Sequence, residues 1–325
     1  MTSAVFVHWG DLHLHPGPRQ ADRLRALDQV IDEGKQIPNL AAWLGPGDIF
    51  DRRSTVEDRN ALKERVKRMA DCAPVVVCYG NHDAQGDLDI FGDLDTNHRI
   101  YVVAEPRIVQ VALPGKQSQA HIFVLPYQTV VSLTGHMATE AVARQELEKR
   151  FRIAAMTLAL SDYAGWAPQP PGALVLMIGH GTVVGAVPHI GQPPIGSEVP
   201  ITPDMLDLLG PIYKGFNHIH SAQDVSGVTY AGSLCRLTWG ETEPKSYVTV
   251  TYDAHGNYVV RRHPVHVAPL YHVEGDLTRE GFTWRVTDGP DGREMPPPEP
   301  RAFHDGQQVV NGTWDGCEVR VRARY

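Results

Sequence analysis

Apolar positions in the first eighty residues alternate between short continuous runs and helical spacing. Residues 4–7, 40–44 and 74–78 form continuous apolar runs. Between them, residues 21–35 and 55–72 carry apolar side chains three or four positions apart, as in an amphipathic helix. This order predicts a βαβαβ unit whose strands are parallel, buried and joined by right-handed crossovers. A capping box is expected at the start of the second helix, formed by Thr55 and Asp58.

The rest of the chain predicts more strands, one long helix and an irregular loop. Residues 107–111 and 121–125 are typical of short strands, and residues 139–160 of a long helix. A buried strand is expected at residues 173–178, followed by a loop rich in Gly and Pro over residues 187–203. Further strands are expected at residues 213–216, 227–230, 247–252 and 258–263.

Near residue 270 the sequence changes character. Residues 295–300 form a Pro-rich linker, and residues 317–322 alternate between polar and apolar side chains like an edge strand. We therefore expect a large domain over residues 1–270 and a small second domain over residues 271–325. No apolar run approaches the length of a membrane-spanning helix, and residues 1–7 lack the pattern of a signal peptide, so no membrane association is expected.

Composition and charge are those of an ordinary globular protein. Of 325 residues, 42% are hydrophobic and 21% are charged, which is enough to bury a large core. The four cysteines form no close CxxC pair, which argues against a zinc ribbon and predicts a cytoplasmic location. The net charge of −8 does not indicate a nucleic-acid binder, but a carboxylate cluster that binds cations would account for part of it.

Side chains that could bind metal ions follow five of the predicted strands. They are Asp11 with His13, Asp48, Asn81 with His82, His180, and His218 with His220. In open α/β sheets, ligands bind at the carboxyl ends of the strands, so we expect these side chains to meet. A single DxH or GDxxD pattern is a weak signal. Five such loops in this order are a strong one.

This set of donors suits two divalent cations that share one carboxylate. Asp48 is the expected bridge, because its two oxygens and its charge can serve two cations. The remaining ligands divide into one site of Asp11, His13 and His220 and another of Asn81, His180 and His218. Because His218 and His220 alternate on a segment expected to be extended, both should face the cations. Without a thiolate, manganese is the expected ion, with iron(II) and zinc as alternatives.

His82 and Asp83 are the expected catalytic residues. His82 directly follows a predicted ligand, so we expect it to protonate the leaving oxygen or to stabilise the transition state instead of binding metal. Asp83 is expected to hold the His82 ring. His15 and Arg52 are candidate substrate contacts, with ordinary surface residues as the alternative. Asp51 is expected either to support the metal site or to cap the following helix.

Taken in order, these motifs resemble those of the calcineurin-like metallophosphoesterases. The matching residues are the DxH of Asp11 and His13, the GDxxD of residues 47–51, the GNHD of residues 80–83, His180 and the His-x-His pair. The resemblance implies an α/β fold, a four-layer α/β/β/α sandwich, with a small C-terminal α+β capping domain. It also implies hydrolysis of phosphoesters by two divalent cations.

A second segment narrows the resemblance to the SbcD-type nuclease subunit of double-strand-break repair nuclease–ATPase complexes. Residues 230–237 contain a Y-x-G-S pattern, followed by Gly-Glu at residues 240–241 and by Lys245. This resemblance implies a DNA exo/endonuclease that acts as a homodimer, with DNA and an SMC-like ABC ATPase of the SbcC type as partners. Asn217 stands where that family usually has Gly. In that family, ATPase-docking helices usually follow the capping domain, whereas here the sequence up to Tyr325 is typical of strands. The alternatives are a truncated sequence and a compact variant of the protein.

Two other functions stay open on the same residues. The first is a phosphatase or phosphodiesterase that acts on a small molecule or a protein with the same metal centre. The second is a catalytically silent scaffold that binds DNA or an ATPase, and the full set of expected ligands argues against it. The apolar face formed by Leu62, Val66 and Met69 also has two interpretations, packing on the sheet or contact in a dimer.

Overall fold

The chain folds into two compact units. The computed structural model describes residues 3–17, 19–115, 118–161, 174–188, 197–210, 212–238, 241, 243–253, 255–267, 270–278, 281–288, 309–314 and 317–324. One unit consists of Met1–Cys235 with Lys245–Val265, and the other of Arg236–Pro244 with His266–Tyr325. The chain therefore enters the smaller unit at Arg236, returns to the larger one at Lys245, and leaves it again after Val265.

Six helices and sixteen strands are present in the described residues. The helices are α1 (Gln20–Gly34), α2 (Val56–Ala70), α3 (Asp89–Gly92), α4 (Val130–Thr134), α5 (Glu140–Ser161) and α6 (Pro203–Asp207). The strands are β1 (Ala4–His8), β2 (Leu40–Pro46), β3 (Val75–Cys78), β4 (Ile100–Val103), β5 (Arg107–Ala112), β6 (Gln119–Leu125), β7 (Leu174–His180), β8 (Tyr213–Asn217), β9 (Gln223–Val225), β10 (Val228–Tyr230), β11 (Lys245–Tyr252), β12 (Tyr258–Val265), β13 (Leu270–Thr278), β14 (Gly281–Asp288), β15 (Val309–Trp314) and β16 (Cys317–Arg324).

The first six-stranded sheet contains the predicted βαβαβ unit. Its strand order is β12-β11-β1-β2-β3-β4, in which β1 to β4 run parallel. β11 and β12 complete the other edge as antiparallel strands, as their alternating pattern predicts. The apolar pattern does not predict β4. This strand lies at the edge of the sheet, and its two central residues are only half-buried.

The second six-stranded sheet has the order β5-β6-β7-β8-β10-β9. Its central strands β6, β7 and β8 are parallel, and the long helix α5 lies between β6 and β7 in the chain, as a parallel connection requires. β5 and β9 close the two edges in antiparallel pairs. The carboxyl ends of parallel strands from both sheets are thus available for a site.

The two sheets pack face to face through a shared apolar core. Phe6, Leu44 and Val76 of the first sheet are fully buried in one cluster with Ile122 and Ile178 of the second. The apolar residues of β1 to β3 form continuous runs because each of these strands is covered on both faces.

Helices cover the outer face of each sheet. Phe123 and Phe216 of the second sheet pack against Leu147 and Phe151 of α5. On the first sheet, the indole nitrogen of Trp43 in β2 donates to a carbonyl oxygen of α2, at 3.0 Å. The result is the predicted α/β/β/α sandwich. No helix in the described residues is both long and apolar enough to cross a membrane.

The apolar face of α2 packs inside the larger unit. Leu62, Val66 and Met69 are each at most 4% exposed in the single chain. Of the two interpretations that the sequence left open for this face, packing on the sheet is the one that the structure supports.

The smaller unit contains a four-stranded sheet in its described residues. The strand order is β14-β13-β16-β15, in which β13 and β16 run parallel and the outer pairs are antiparallel. The predicted Pro-rich linker at residues 295–300 lies outside the described residues. The described residues of this unit contain strands and no helix, so the helical part of the expected α+β domain stays a prediction.

A buried hydrogen-bond chain joins the two sheets where β1 and β8 end. The Asn217 side-chain oxygen accepts from the Nε2 of His8 at 3.1 Å, so the Nδ1 of His8 accepts from the Tyr213 hydroxyl at 2.7 Å. The Asn217 amide donates in turn to the Trp9 carbonyl at 3.2 Å. Burial lowers the pKa of His8 to about 4, against a smaller opposing effect of Asn217. Asn217 thus gives this chain a link that a glycine at the same position could not make.

The capping box of α2 gives a first prediction. The Thr55 hydroxyl accepts from the backbone N–H of Asp58 at 3.1 Å, and the Asp58 carboxylate accepts from the backbone N–H of Thr55 at 3.0 Å, as the sequence predicts. Replacing Thr55 by Ala removes the first acceptor and should cost about 1 kcal/mol of unfolding free energy in urea denaturation. Thr55→Ser, which keeps the oxygen, should be close to wild type. Equal stability of all three proteins would contradict the cap.

The buried His8 gives a prediction of pH dependence. In the unfolded chain His8 binds its proton near pH 6.5, whereas in the folded chain it does so only near pH 4. Unfolding therefore takes up a proton between these values, and stability falls as the pH is lowered through them. Compared with His8→Gln, which has no titrating ring, the wild type should lose about 3 kcal/mol more between pH 6.5 and pH 4. If the unfolding free energies of the two proteins change by the same amount between pH 6.5 and pH 4, the His8 ring is not held neutral by burial.

Candidate metal centre

The carboxyl ends of the strands bring the seven predicted metal ligands together. Two clusters of ligand atoms that share Asp48, each within 4.8 Å, are formed by Asp11, His13 and Asp48 and by Asp48, His180 and His218, and a third group is formed by His13, Asp51 and His82. Asn81 adjoins the second cluster, with its side-chain oxygen 3.1 Å from the Nε2 of His180. His220 adjoins the first, with its ring centroid 5.1 Å from that of His13. Asp48 is the member that both clusters share.

Asp48 lies in a tight turn after β2 that only small neighbours permit. Its backbone is in the left-handed region at a φ of 50°, which Asp tolerates better than most residues. A Cβ on Gly80 of the GNHD motif would lie 2.1 Å from a carboxylate oxygen of Asp48, and a Cβ on Gly47 would lie 2.3 Å from the His180 ring. The two motif glycines therefore make room for the central carboxylate and its neighbouring histidine.

In the first cluster, His13 points an unpartnered nitrogen at Asp48. Its Nδ1 donates to the Asp51 carboxylate at 3.0 Å, so its Nε2 carries a lone pair. This Nε2 is buried 3.4 Å from Asp48 and has no hydrogen-bond partner among the described residues. Burial lowers the pKa of His13, although Asp51 and Asp48 oppose this, so the ring is neutral. A lone pair that faces a carboxylate across this gap fits a cation between them.

In the second cluster, the Nε2 of His180 meets an oxygen of Asp48 and the side-chain oxygen of Asn81. The Nδ1 of His180 donates to the carbonyl of Pro46 at 2.7 Å, and its Nε2 lies 3.3 Å from Asp48 and 3.1 Å from Asn81. Burial opposes a charge on His180, but Asp48 and Asp11 outweigh it and raise its pKa to about 9. A proton on Nε2 thus balances the carboxylates, and a divalent cation bound there would displace that proton.

The charge of Asp48 is held mainly by His180. Burial alone would raise the pKa of Asp48, but the protonated His180 beside it holds the pKa of this carboxyl below its usual range. Asp48 is therefore an anion in a site that is 1% exposed to solvent. Such a buried anion requires positive charge around it.

His218 departs from the expected extended segment. β8 ends at Asn217, and the φ of His218 is 100°, in a region that L residues rarely adopt. The expectation that His218 and His220 alternate along an extended strand is therefore wrong. The turn lets the His218 backbone N–H donate to both oxygens of Asp11 at 3.2 Å, while its Nδ1 lies 2.8 Å from the Asn81 oxygen.

His82 lies beside the clusters and is held by a group other than the predicted one. Its Nδ1 donates to the Asp51 carbonyl at 2.8 Å, its ring lies 4.7 Å from that of His13, and its side chain is exposed. The expectation that Asp83 holds His82 is wrong. The Asp83 carboxylate instead accepts from the backbone N–H groups of Phe50 and Gly80, at 2.8 and 2.9 Å.

Asp83 therefore fixes the loops that carry the ligands. Burial raises its pKa to about 7, with the Asp48 charge adding to the effect and the backbone donors opposing it. Asp51 supports the metal site instead of capping α2, since Thr55 holds the cap and Asp51 accepts from His13. That hydrogen bond, together with the nearby histidines, lowers the pKa of Asp51 to about 2 against the effect of burial.

The two predicted substrate contacts differ in their surroundings. Arg52 is exposed beside the site. His15 uses both ring nitrogens within the protein, since Nδ1 lies 3.2 Å from the His13 carbonyl and Nε2 lies 3.4 Å from the Arg23 guanidinium. These contacts favour a supporting role for His15. Contact with substrate stays a prediction for both residues.

Two residues near the second cluster are not predicted from the sequence. The Glu198 carboxylate lies 3.5 Å from the Nε2 of His218 and accepts from the backbone and hydroxyl of Thr182. The Tyr127 ring packs against His180 and His218, with centroids 6.0 and 5.5 Å away. No motif marks either residue, and both reach the site by long-range folding.

The Y-x-G-S segment supports the loop that carries His180. The Tyr230 hydroxyl donates to the Gly181 carbonyl and accepts from the Val183 backbone N–H, both at 2.8 Å. Ser233 of the same segment accepts from Lys245 at 2.9 Å, and both residues are buried. The hydroxyls of this segment therefore fix the backbone of the second cluster and its surroundings.

The donor set fits two divalent cations. Each cluster offers imidazole nitrogen and carboxylate oxygen, the shared carboxylate lies between them, and the His13 nitrogen that faces it lacks a partner among the described residues. Asp51 and Pro46 fix the opposite nitrogens of His13 and His180, which is the usual arrangement of histidines that bind metal. The geometry therefore suits a dinuclear site.

Comparison with known proteins gives the family. Among solved structures, the chain is similar to TT1561 of Thermus thermophilus, at 11% sequence identity and a TM-score of 0.46, over 80% of this chain and 99% of that one. It is also similar to GAP50, the anchor in the inner membrane complex of Plasmodium, at 12% identity and a TM-score of 0.46, over 82% of this chain and 89% of that one. Residues 4–193 match the calcineurin-like phosphoesterase family, and the chain therefore belongs to that family.

Proposed function

We propose that this chain is a two-metal-dependent DNA exo/endonuclease of the SbcD type that processes DNA ends. Metal-dependent hydrolysis of phosphoesters follows from the family and from the two clusters. The observation that carries the proposal is the pair of clusters that share Asp48, with the exposed His82 beside them. DNA as the substrate is the further step, and it rests on the Y-x-G-S segment.

The proposed metal ligands and His82 have different roles in the reaction. Asp11, His13, Asp48 and His220 would hold one cation, and Asp48, Asn81, His180 and His218 the other. Bound divalent cations, for which manganese is our proposal, supply positive charge to phosphoryl oxygens and lower the pKa of water. The Nδ1 of His82 is committed to the Asp51 carbonyl, so its Nε2 is the atom that can hold or transfer a proton at the leaving oxygen.

The DNA part of the proposal rests on the segment that begins at Tyr230, the last residue of β10. Its Tyr230, Ser233 and Lys245 resemble the SbcD-type subunit. In this chain the Tyr230 hydroxyl holds the backbone of the His180 loop, and Lys245 donates to Ser233. The net charge of −8 does not itself favour DNA, and bound cations would reduce the negative charge at the site. A homodimer, an ATPase partner of the SbcC type and a cytoplasmic location are parts of the same proposal.

Removing the charge of Asp48 tests the shared ligand. Asp48→Asn keeps the shape of the side chain and tolerates the left-handed backbone, but it loses the anion that both cations would share. We expect the purified variant to lose both Mn²⁺ ions, as measured by elemental analysis after equilibrium dialysis. Asp93→Asn, at an exposed position, is the matched control and should bind like the wild type. An Asp48→Asn protein that keeps two ions would refute the shared carboxylate.

Replacing His82 tests the proton role and the substrate together. His82→Gln should lower Mn²⁺-dependent cleavage of end-labelled DNA duplexes and hairpins by roughly 10²–10⁴-fold, because the side chain no longer exchanges a proton. Its metal content should match that of the wild type, since His82 is not one of the proposed ligands. The exposed His98→Gln is the control for loss of a surface histidine.

A generic phosphodiester, bis-p-nitrophenyl phosphate, is assayed beside the DNA. A wild type that cleaves this compound but neither single- nor double-stranded DNA would overturn the DNA proposal in favour of a small-molecule phosphodiesterase. Full DNA cleavage by His82→Gln would leave the nuclease proposal standing and remove His82 from the reaction.

A further inference from the structure

Glu198 is a buried carboxylate beside the second cluster that the proposed reaction does not use. Its side chain is 8% exposed. Its chain segment is held on both sides, because Val130 donates to the Ser197 carbonyl at 3.2 Å and Val199 donates to the Gln128 carbonyl at 3.2 Å. A charge buried this deeply is costly unless it is paired and hydrogen-bonded, so its partners indicate what it does.

The partners of Glu198 belong to the two loops that carry the ligands of the second cluster. Thr182 follows His180 by two residues, and it donates to Glu198 from its backbone N–H and from its hydroxyl, the latter at 2.9 Å. His218 is the other partner, with its Nε2 at 3.5 Å. One carboxylate thus joins the loop after β7 to the loop after β8.

The neighbouring backbone leaves space for this carboxylate. A Cβ on Gly181 would lie 3.2 Å from a Glu198 oxygen, and the φ of Gly181 is 149°. A side chain at this position would therefore crowd the carboxylate and strain the backbone. Tyr230 holds the other side of the loop through Gly181 and Val183, so the loop is fixed from two directions.

The two ring nitrogens of His218 face different groups. Nδ1 lies 2.8 Å from the Asn81 oxygen, on the side of the cluster, whereas Nε2 faces Glu198. The Asn81 oxygen can only accept, so Nδ1 donates to it in this arrangement. A cation bound at Nδ1 would displace that proton, and Glu198 would then hold the proton that stays on Nε2. The φ of His218 is 100°, which is unfavourable for an L residue. A strained residue keeps its orientation only when its surroundings hold it, and Glu198 is one of the groups that hold His218.

We propose that Glu198 is a positioning residue for the second cation, because it fixes His218 through Nε2 and the His180 loop through Thr182. The inference rests on the two-cation site of the proposed function, but it does not depend on DNA as the substrate. The contacts of Glu198 are with Thr182 and His218, in the loops of the second cluster, so the affinity for the first cation should depend on it much less.

The experiment is a Mn²⁺ titration of the metal-free full chain by calorimetry and by electron paramagnetic resonance. The wild type should bind two ions. Glu198→Gln should weaken one site by roughly 10–100-fold and leave the other nearly unchanged, since it removes the negative charge and replaces one of the two acceptor oxygens with a donor next to a metal ligand. The spectrum of a coupled Mn²⁺ pair should then be absent at two equivalents and return at high Mn²⁺. Glu198→Asp should recover part of the affinity, and the exposed Glu105→Gln should match the wild type.

Several results would overturn the proposal. Wild-type affinity at both sites in Glu198→Gln would remove Glu198 from the metal centre. Equal weakening of both sites together with a lowered melting temperature would make its role structural. If Glu198→Gln does not fold, Thr182→Val tests the same link, because it deletes one donor to the carboxylate. It should weaken the same single site by a smaller factor, and unchanged affinity in this variant would also count against the proposal.

The titration separates this inference from the proposed function. A wild type that binds two ions but cleaves no DNA would refute only the substrate, and the Glu198 variants would still be informative. A wild type that binds fewer than two ions would refute the dinuclear site, and with it the role of Glu198.

Discussion

The structure depends on one buried carboxylate that two sets of ligands share. Asp48 is 1% exposed, and histidines from both sheets point at it, His13 from the first and His180 from the second. An anion in such a place is unstable without nearby positive charge. The left-handed turn at Asp48 and the absence of a side chain at Gly80 are the structural requirements for placing it there. The buried anion and the left-handed turn both cost free energy, and bound cations would offset that cost.

The outer contacts of the ligands decide which nitrogen of each histidine faces the centre. The Nδ1 of His13 donates to the Asp51 carboxylate, and the Nδ1 of His180 donates to the Pro46 carbonyl, so Nε2 faces inward in both. At His218 the arrangement is reversed, because Glu198 lies on the Nε2 side. These partners come from backbone carbonyls and carboxylates distant in sequence. At His13 and His180 the outer hydrogen bond therefore sets which nitrogen faces the centre, and the proposed role of Glu198 is the same for His218.

The ligands could be predicted from the sequence, but most of their supports could not. Strands such as β1 to β3 are recognisable as apolar runs, and parallel strands present their carboxyl ends at one edge, so the residues after them must meet. The partner of His82 could not be deduced, because Asp83 is adjacent in sequence yet turns to the backbone of Phe50 and Gly80. Glu198 carries no motif, and its contacts are made only once β7 and β8 are side by side. Adjacency in sequence predicts a shared loop, and it does not predict a hydrogen bond.

Asp51 connects the metal centre to the proposed proton carrier. Its carboxylate holds His13, a ligand of the first cluster, while its backbone carbonyl holds the exposed His82. The side chain that supports a candidate ligand and the carbonyl that orients His82 thus belong to one residue and are fixed together. This link between the candidate metal centre and His82 needs no contact between His82 and a cation.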